Sequence, residues 1–223
     1  PKTATTTIGL GSGAAGTLNL NNTELGYINT ASNNFASIVI GDSSAGTGAI
    51  TYNTSGTTIS FGSNLTLQQS SGGITLNDSI TTTGNQTYTG AVALAADITL
   101  TTSANGTVGF SSTINNSTTT ARALTISTGS GNVTFSGAIG GDATNGAIGA
   151  IDVSSTGTTA FSSTVTAASV TTNTGGTTTL AGNVTTTGTQ TYNDAVSLSA
   201  SIELNSGNSA ISFADSVNSM STT

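Results

Sequence analysis

Cysteine, histidine and tryptophan are absent from this 223-residue chain, proline occurs once, and only 5% of the residues are charged. Each absence excludes a class of chemistry. Without Cys there is no disulfide framework and no thiolate metal site. Without His there is no imidazole ligand and no nucleophilic triad built on a His base. Lys2 and Arg122 are the only bases against nine acids, for a net charge of -7, so no basic patch exists to neutralise phosphates. Nucleic acid and anionic membrane surfaces are therefore poor partners. No run of about eighteen apolar residues marks a membrane span, and no charged leader or initiator Met is present. With the ending "SMSTT", this reads as a piece of a longer chain.

What remains is Thr, Ser, Asn, Gly and a regular supply of branched apolar residues. Hydrophobic residues make up 34%, too many and too branched for a disordered chain, which is normally also highly charged. Apolar residues recur two apart: Leu18/Leu20, Ile38/Ile40, Ile50/Tyr52, Ile59/Phe61, Ile74/Leu76, Ile98/Leu100, Val108/Phe110, Leu124/Ile126, Val133/Phe135, Ile151/Val153, Ile202/Leu204 and Ile211/Phe213. That period predicts short strands with one face inward and one outward. Clusters such as "SSGG", "ANG", "GSGN" and "NTGG" supply the turns between them. No stretch holds a 3.6-residue apolar period long enough to predict a helix.

A longer pattern lies over the alternation. The unit apolar-x-aromatic-x-x-x-aliphatic appears as "ISFGSNL" (59–65), "VGFSSTI" (108–114), "VTFSGAI" (133–139) and "ISFADSV" (211–217), with relaxed copies such as "QTYTGAV" (86–92) and "QTYNDAV" (190–196). Strands this short, with corners at fixed offsets, suit a coil of about three sides stacked on its neighbours, an all-β parallel β-helix or β-solenoid with three short strands per coil. The steps from Tyr88 to Phe110 and from Phe110 to Phe135 have the length of such a coil, whereas the 12-residue steps Leu76 to Tyr88 and Leu180 to Tyr192 do not. Tyr88 and Tyr192 are 104 residues apart, as are Leu76 and Leu180, so a block near 76–115 is repeated near 180–218. The expectation is one solenoid region over 1–223, in which an array of several coils is duplicated and ten or eleven coils build a rod about 50 Å long.

The acids are Glu24, Asp42, Asp78, Asp97, Asp142, Asp152, Asp194, Glu203 and Asp215. Asp78, Asp194 and Asp215 each follow the motif's Leu, Tyr or Phe by two residues, a corner position where a short carboxylate bonds nearby backbone. Glu203 lies between two inward residues and points out. No catalytic residue, cofactor site or metal site is expected: neither an EF-hand loop nor a calcium nonapeptide is present, and "GLGSG" lacks the Lys of a phosphate loop. Phe61, Tyr88, Phe110, Phe135, Phe161, Tyr192 and Phe213 read as a stacked core ladder in preference to a sugar-stacking strip. The Thr runs fall at intervals too irregular for an ice-binding face. Asn64, Asn77, Asn85, Asn105, Asn115, Asn132 and Asn183 begin Asn-x-Ser/Thr sequons.

The string "TELGYINTASNNFASIVIGDSSAGTGAI" (23–50), followed by "TTTGNQTYTGAVAL" and "GNVTFSGAI", resembles the repetitive region of large bacterial surface exoproteins of the filamentous haemagglutinin type. The resemblance covers nearly the whole chain. It implies a right-handed β-helix rod, export by an outer-membrane transporter, an extracellular location, and a part in adhesion, aggregation or matrix formation. The Asn-Pro-Asn-Gly type motif of that family's secretion module does not occur here. On this reading the partners are further copies, end to end or side by side, and a host-cell or matrix glycan. A carbohydrate-binding or polysaccharide-cleaving β-helix is the alternative, and requires an acid cluster on one face. A phage or secretion fibre is a third, and requires a trimerisation segment.

Overall fold

The computed structural model describes residues 4–29 and 35–219. Lys2, Pro1 and the last four residues of "SMSTT" lie outside them. The described chain is a parallel β-helix with three faces, and its strands pair in parallel from coil to coil. Face one stacks Ile8–Leu10, Ile50–Tyr52, Ile74–Leu76, Val92–Leu94 and Ile114–Asn116, then continues through Ile139 to Val165, Val184–Thr186 and Leu204–Asn205. Face two runs from Ser60–Phe61 through Ile80–Thr82, Ile98–Thr102 and Leu124–Gly129 to Gln190–Tyr192 and Ile211–Phe213. Face three holds nine strands, from Ser37–Asp42 through Val133–Phe135 to Val217–Ser219.

Alternation decides the core. Phe135 is 1% exposed while Thr134 beside it is exposed, and the same in–out rhythm runs along Asn64–Gln69 and Leu124–Gly129. Branched Thr, Val and Ile suit such a pleated surface, and each coil buries its apolar row against the next. At the corner from face two to face three, glycines stack so closely that nothing larger fits. A Cβ on Gly131 would stand 2.0 Å from the Gly106 carbonyl oxygen, and one on Gly106 would stand 2.5 Å from the Gly84 carbonyl.

Coil length varies at the corners and not in the strands. Tyr88, Phe110, Phe135, Phe161 and Leu180 are in register on face three, so successive coils take 22, 25, 26 and 19 residues. The 12-residue steps are sides of the same triangle: Leu76 is on face one and Tyr88 on face three, and Leu180 is on face three and Tyr192 on face two. Two strands of eight residues, Ile148–Ser155 and Val165–Thr172, run through the corner between faces one and two without a break. Nine strands on face three make a stack about 40 Å long at 4.8 Å per strand, shorter than the ten or eleven coils expected. Longer coils and an N-terminal segment folded as a cap account for the difference.

That cap corrects the expectation of no helix. Helix α1, Asn22–Asn29, follows the end strand Leu18–Leu20 and places Leu25, wholly buried, in the core. A capping box starts it: the Glu24 amide donates to Asn21 Oδ1 at 3.0 Å and the Asn21 amide donates to Glu24 Oε2 at 2.9 Å. Eight residues with two inward apolar positions are too few to show a helical period. The Asn-x-x-Glu spacing was the available signal.

Candidate functional site

The expected aromatic ladder exists in parts. Tyr88, Phe110, Phe135 and Phe161 stack along face three at ring separations of 4.8, 5.4 and 4.9 Å, with planes within 11° of parallel. Tyr192 and Phe213 form a second stack, at 5.3 Å, on face two. Phe61, also on face two, pairs with Thr82 and joins neither stack. All but Phe213 are buried, so these rings pack the interior and offer no stacking surface to a sugar. Phe213, in the last described coil, is 38% exposed.

Tyr192 stands on a different face from Tyr88 although the two occupy equivalent places in the repeated block. Ile80–Thr82, Gln86–Thr89 and Val92–Leu94 lie on faces two, three and one; their counterparts Val184–Thr186, Gln190–Tyr192 and Ala195–Leu198 lie on faces one, two and three. The block therefore repeats after fourteen sides, four coils and two further sides, so the offset between its two copies is not a whole number of coils. Its local bonding is unchanged by the rotation. Gln86 Nε2 lies within hydrogen-bond reach of the Ile80 carbonyl, Thr82 Oγ1 and the Thr101 carbonyl; Gln190 Nε2 reaches the Val184 carbonyl, Thr186 Oγ1 and the Asn205 carbonyl. Burial pushes the Tyr88 and Tyr192 phenols above their ordinary pKa, so each remains a neutral donor. Sequence reading registered these glutamines as part of a repeat and missed that they satisfy a buried corner.

The acids are dispersed. Asp78 and Asp194 sit at corners as expected, but they bond the preceding coil and not their own turn. Asp78 accepts the Thr54 and Gly56 amides, and Asp194 accepts the Gly176 amide and the Thr178 hydroxyl. Asp215 accepts from the neighbouring Ser216 amide, and Glu203 is exposed. Asp97 accepts the Ala123 amide of the next coil, and Asp152 is exposed on face two. Asp142 closes the turn of a loop inserted between Ile139 and Ile148 by accepting the Thr144 and Asn145 amides, which hold its carboxyl below the usual range. Asp42 does the same for Ser44 and Ala45, and Glu24 caps α1. Among the described residues no three of His, Cys, Asp and Glu come together.

Asparagines of the sequons do related work. Asn64 Oδ1 accepts the Asn85 amide, Asn85 Oδ1 the Thr107 amide, Asn132 Oδ1 the Thr158 amide and Asn183 Oδ1 the Glu203 amide, each from one coil to the next at 2.7 to 2.9 Å. Asn105, in the left-handed region at φ 59°, likewise takes the Ser130 amide. These brackets satisfy corner N–H groups that no strand ladder reaches. Arg122, the one base among the described residues, turns its backbone toward Asn116, whose Oδ1 accepts the Arg122 amide at 2.9 Å.

Ladders and corner brackets define a parallel β-solenoid, with its acids scattered along it. No protein-family model, curated protein or solved structure matches the chain.

Proposed function

We propose that this chain is a stretch of an adhesive or structural rod in a bacterial cell-surface or extracellular filament protein, and that it is not an enzyme. The observation that supports this most is the unbroken nine-strand stack on face three, bracketed at its corners from coil to coil. Such an object transmits force and holds distance, because each coil is fastened to the next by backbone bonds, side-chain amides and buried rings. The resemblance of residues 23–50 and their following units to haemagglutinin-type exoproteins points the same way, toward export through an outer-membrane transporter and copies meeting end to end or laterally. An outer surface of Thr, Ser, Asn and Gly with little charge offers weak resistance to such contacts.

The test is display of the chain on the surface of a non-aggregating bacterium, with settling and cell clumping measured against an unrelated rod of equal length. Faster settling is the expected result. Unchanged settling, together with strictly monomeric sedimentation of the purified chain at high concentration, refutes the self-associating reading.

A further inference from the structure

The N-terminal end of the rod is stepped. Beyond the strand Ile50–Tyr52, face one continues outward for two strands, Ile8–Leu10 and then Leu18–Leu20. Beyond Asn64–Gln69 of the same coil, face three continues for one, Ser37–Asp42. Among the described residues nothing pairs with the outer edge of Ser37–Asp42. Its inward Ile38 and Ile40 extend the row of Leu65 and Leu67, yet they are only partly buried where those leucines are closed off. The step has the width of one strand and an apolar floor.

Backbone groups at this edge point into the step. Along face three an outward residue bonds the preceding coil through both its groups: the Ser136 and Ser162 amides donate to the Phe110 and Phe135 carbonyls, and the Asn85 and Thr107 carbonyls accept the Leu65 and Gln86 amides. Ser37 and Val39 hold the same phase, but no strand precedes them on this face among the described residues. Edges of this kind are usually blunted by Lys, Pro or a bulge. Ser37–Ile40 carries no charge and no proline, and its register with Asn64–Leu67 is unbroken. Gly41, at φ 100°, closes the usable stretch, since a side chain there would strike the Gln68 carbonyl.

We propose that this edge is a docking site for an extended strand of a second polypeptide, free of acidic residues and with apolar residues two apart, laid parallel on Ser37–Ile40. Main-chain bonds to Ser37 and Val39 supply the attachment, and two side chains seated over Ile38 and Ile40 supply the selectivity, as in other strand additions to a sheet edge. The parallel sense follows from the ladder, whose strands on this face pair only in that way. Charge disfavours an acidic strand, because Asp42 ends the edge, Glu24 starts α1 and the chain carries a net charge of -7. Phe35, just before the strand, and Val39 are 52% and 56% exposed and give the edge an apolar rim. Docking here needs no second rod, so it and the self-association of rods succeed or fail separately.

The probe is a synthetic peptide with the sequence of residues 63–69, blocked at both ends and titrated into the isotope-labelled chain. It carries leucines at the spacing of Ile38 and Ile40. Saturable amide shifts at residues 36–41 and slowed hydrogen exchange at Val39 are expected. The same peptide methylated on the amide nitrogens of its two leucines, the groups that would donate to the Ser37 and Val39 carbonyls, should bind more weakly by about tenfold or more. A copy with Leu65→Asp and Leu67→Asp should not bind. Val39→Pro removes the amide at the edge and should abolish the shifts with little change in melting temperature; should that variant fail to fold, the methylated peptide, which leaves the chain untouched, decides the point. No saturable shift, equal binding of the methylated or the Asp-bearing peptide, binding retained in folded Val39→Pro, or shifts confined to the opposite end at residues 211–219 overturns the proposal.

Discussion

The phenol of Tyr88 donates to Gln86 Oε1 at 2.8 Å, and both groups are shut off from solvent. The pair Tyr192 and Gln190 repeats it at 3.1 Å on another face. Gln86→Leu strands a phenol and a backbone carbonyl in the interior, at a cost of about 1–3 kcal/mol. Gln190→Leu should cost a similar amount, and hydrogen exchange should quicken near Thr101 in the first variant and near Asn205 in the second. Exchange altered at only one of the two corners would show that they are not equivalent.

Phe135 lies between Phe110 and Phe161 in the longer stack. Phe135→Asp places a carboxylate among rings and should lower stability by several kcal/mol, roughly the cost of burying an unpaired charge. Thr134→Asp, one residue away and outward, should change it by less than about 0.5 kcal/mol. Thermal unfolding of the two variants side by side checks the inward and outward assignment.

Burial pushes the Asp194 carboxyl above the usual carboxylate range, and the charge of Asp215 adds to this, while bonds from the Gly176 amide and the Thr178 hydroxyl act against it. The folded chain thus holds this proton to higher pH than the unfolded chain does. Stability from this residue is greatest below the ordinary carboxylate pKa, falls as pH rises through the raised folded value, and is flat above it. Melting temperatures of the parent and Asp194→Asn across pH 3 to 7 should show the parent losing ground to the variant as pH rises. A difference independent of pH would disprove the shift.

Gly131→Ala puts a methyl where the Gly106 carbonyl passes, so the corner must open. Asn132→Ala beside it only removes the acceptor of the Thr158 amide, a loss of about 1 kcal/mol. The expected order of melting temperatures is parent, Asn132→Ala, Gly131→Ala.

Small-angle scattering should report an elongated particle with an axial stack near 40 Å, as nine strands at 4.8 Å require. A spherical profile would contradict the coil assignment.

Strand positions were legible in the sequence because a period of two is a local property: Ile74/Leu76 and Val133/Phe135 mark their own inward faces. Which face a strand occupies is not local. Tyr88 and Tyr192 have the same neighbours in sequence, and their faces depend on how many corners precede them, including the irregular one at Gly140–Ala147. For the same reason the single ladder expected of seven aromatics became two stacks and a lone Phe61. Corner carboxylates were placed correctly from Asp78 and Asp194, but their partners lie 16 to 24 residues away and no short pattern announces them.

The repeat of fourteen sides has a consequence for how such a chain can change over generations. The Gln-Tyr corner is built on face three at Gln86 and Tyr88 and on face two at Gln190 and Tyr192, so a duplicated stretch of gene need not encode whole coils to fold. Any breakpoint that preserves the in–out phase of a side is tolerated, which gives more productive crossover points than a solenoid whose faces each accept only their own strands. Lineages carrying this architecture are therefore expected to vary in length by single sides, and to carry the same outward motif in different directions around the axis.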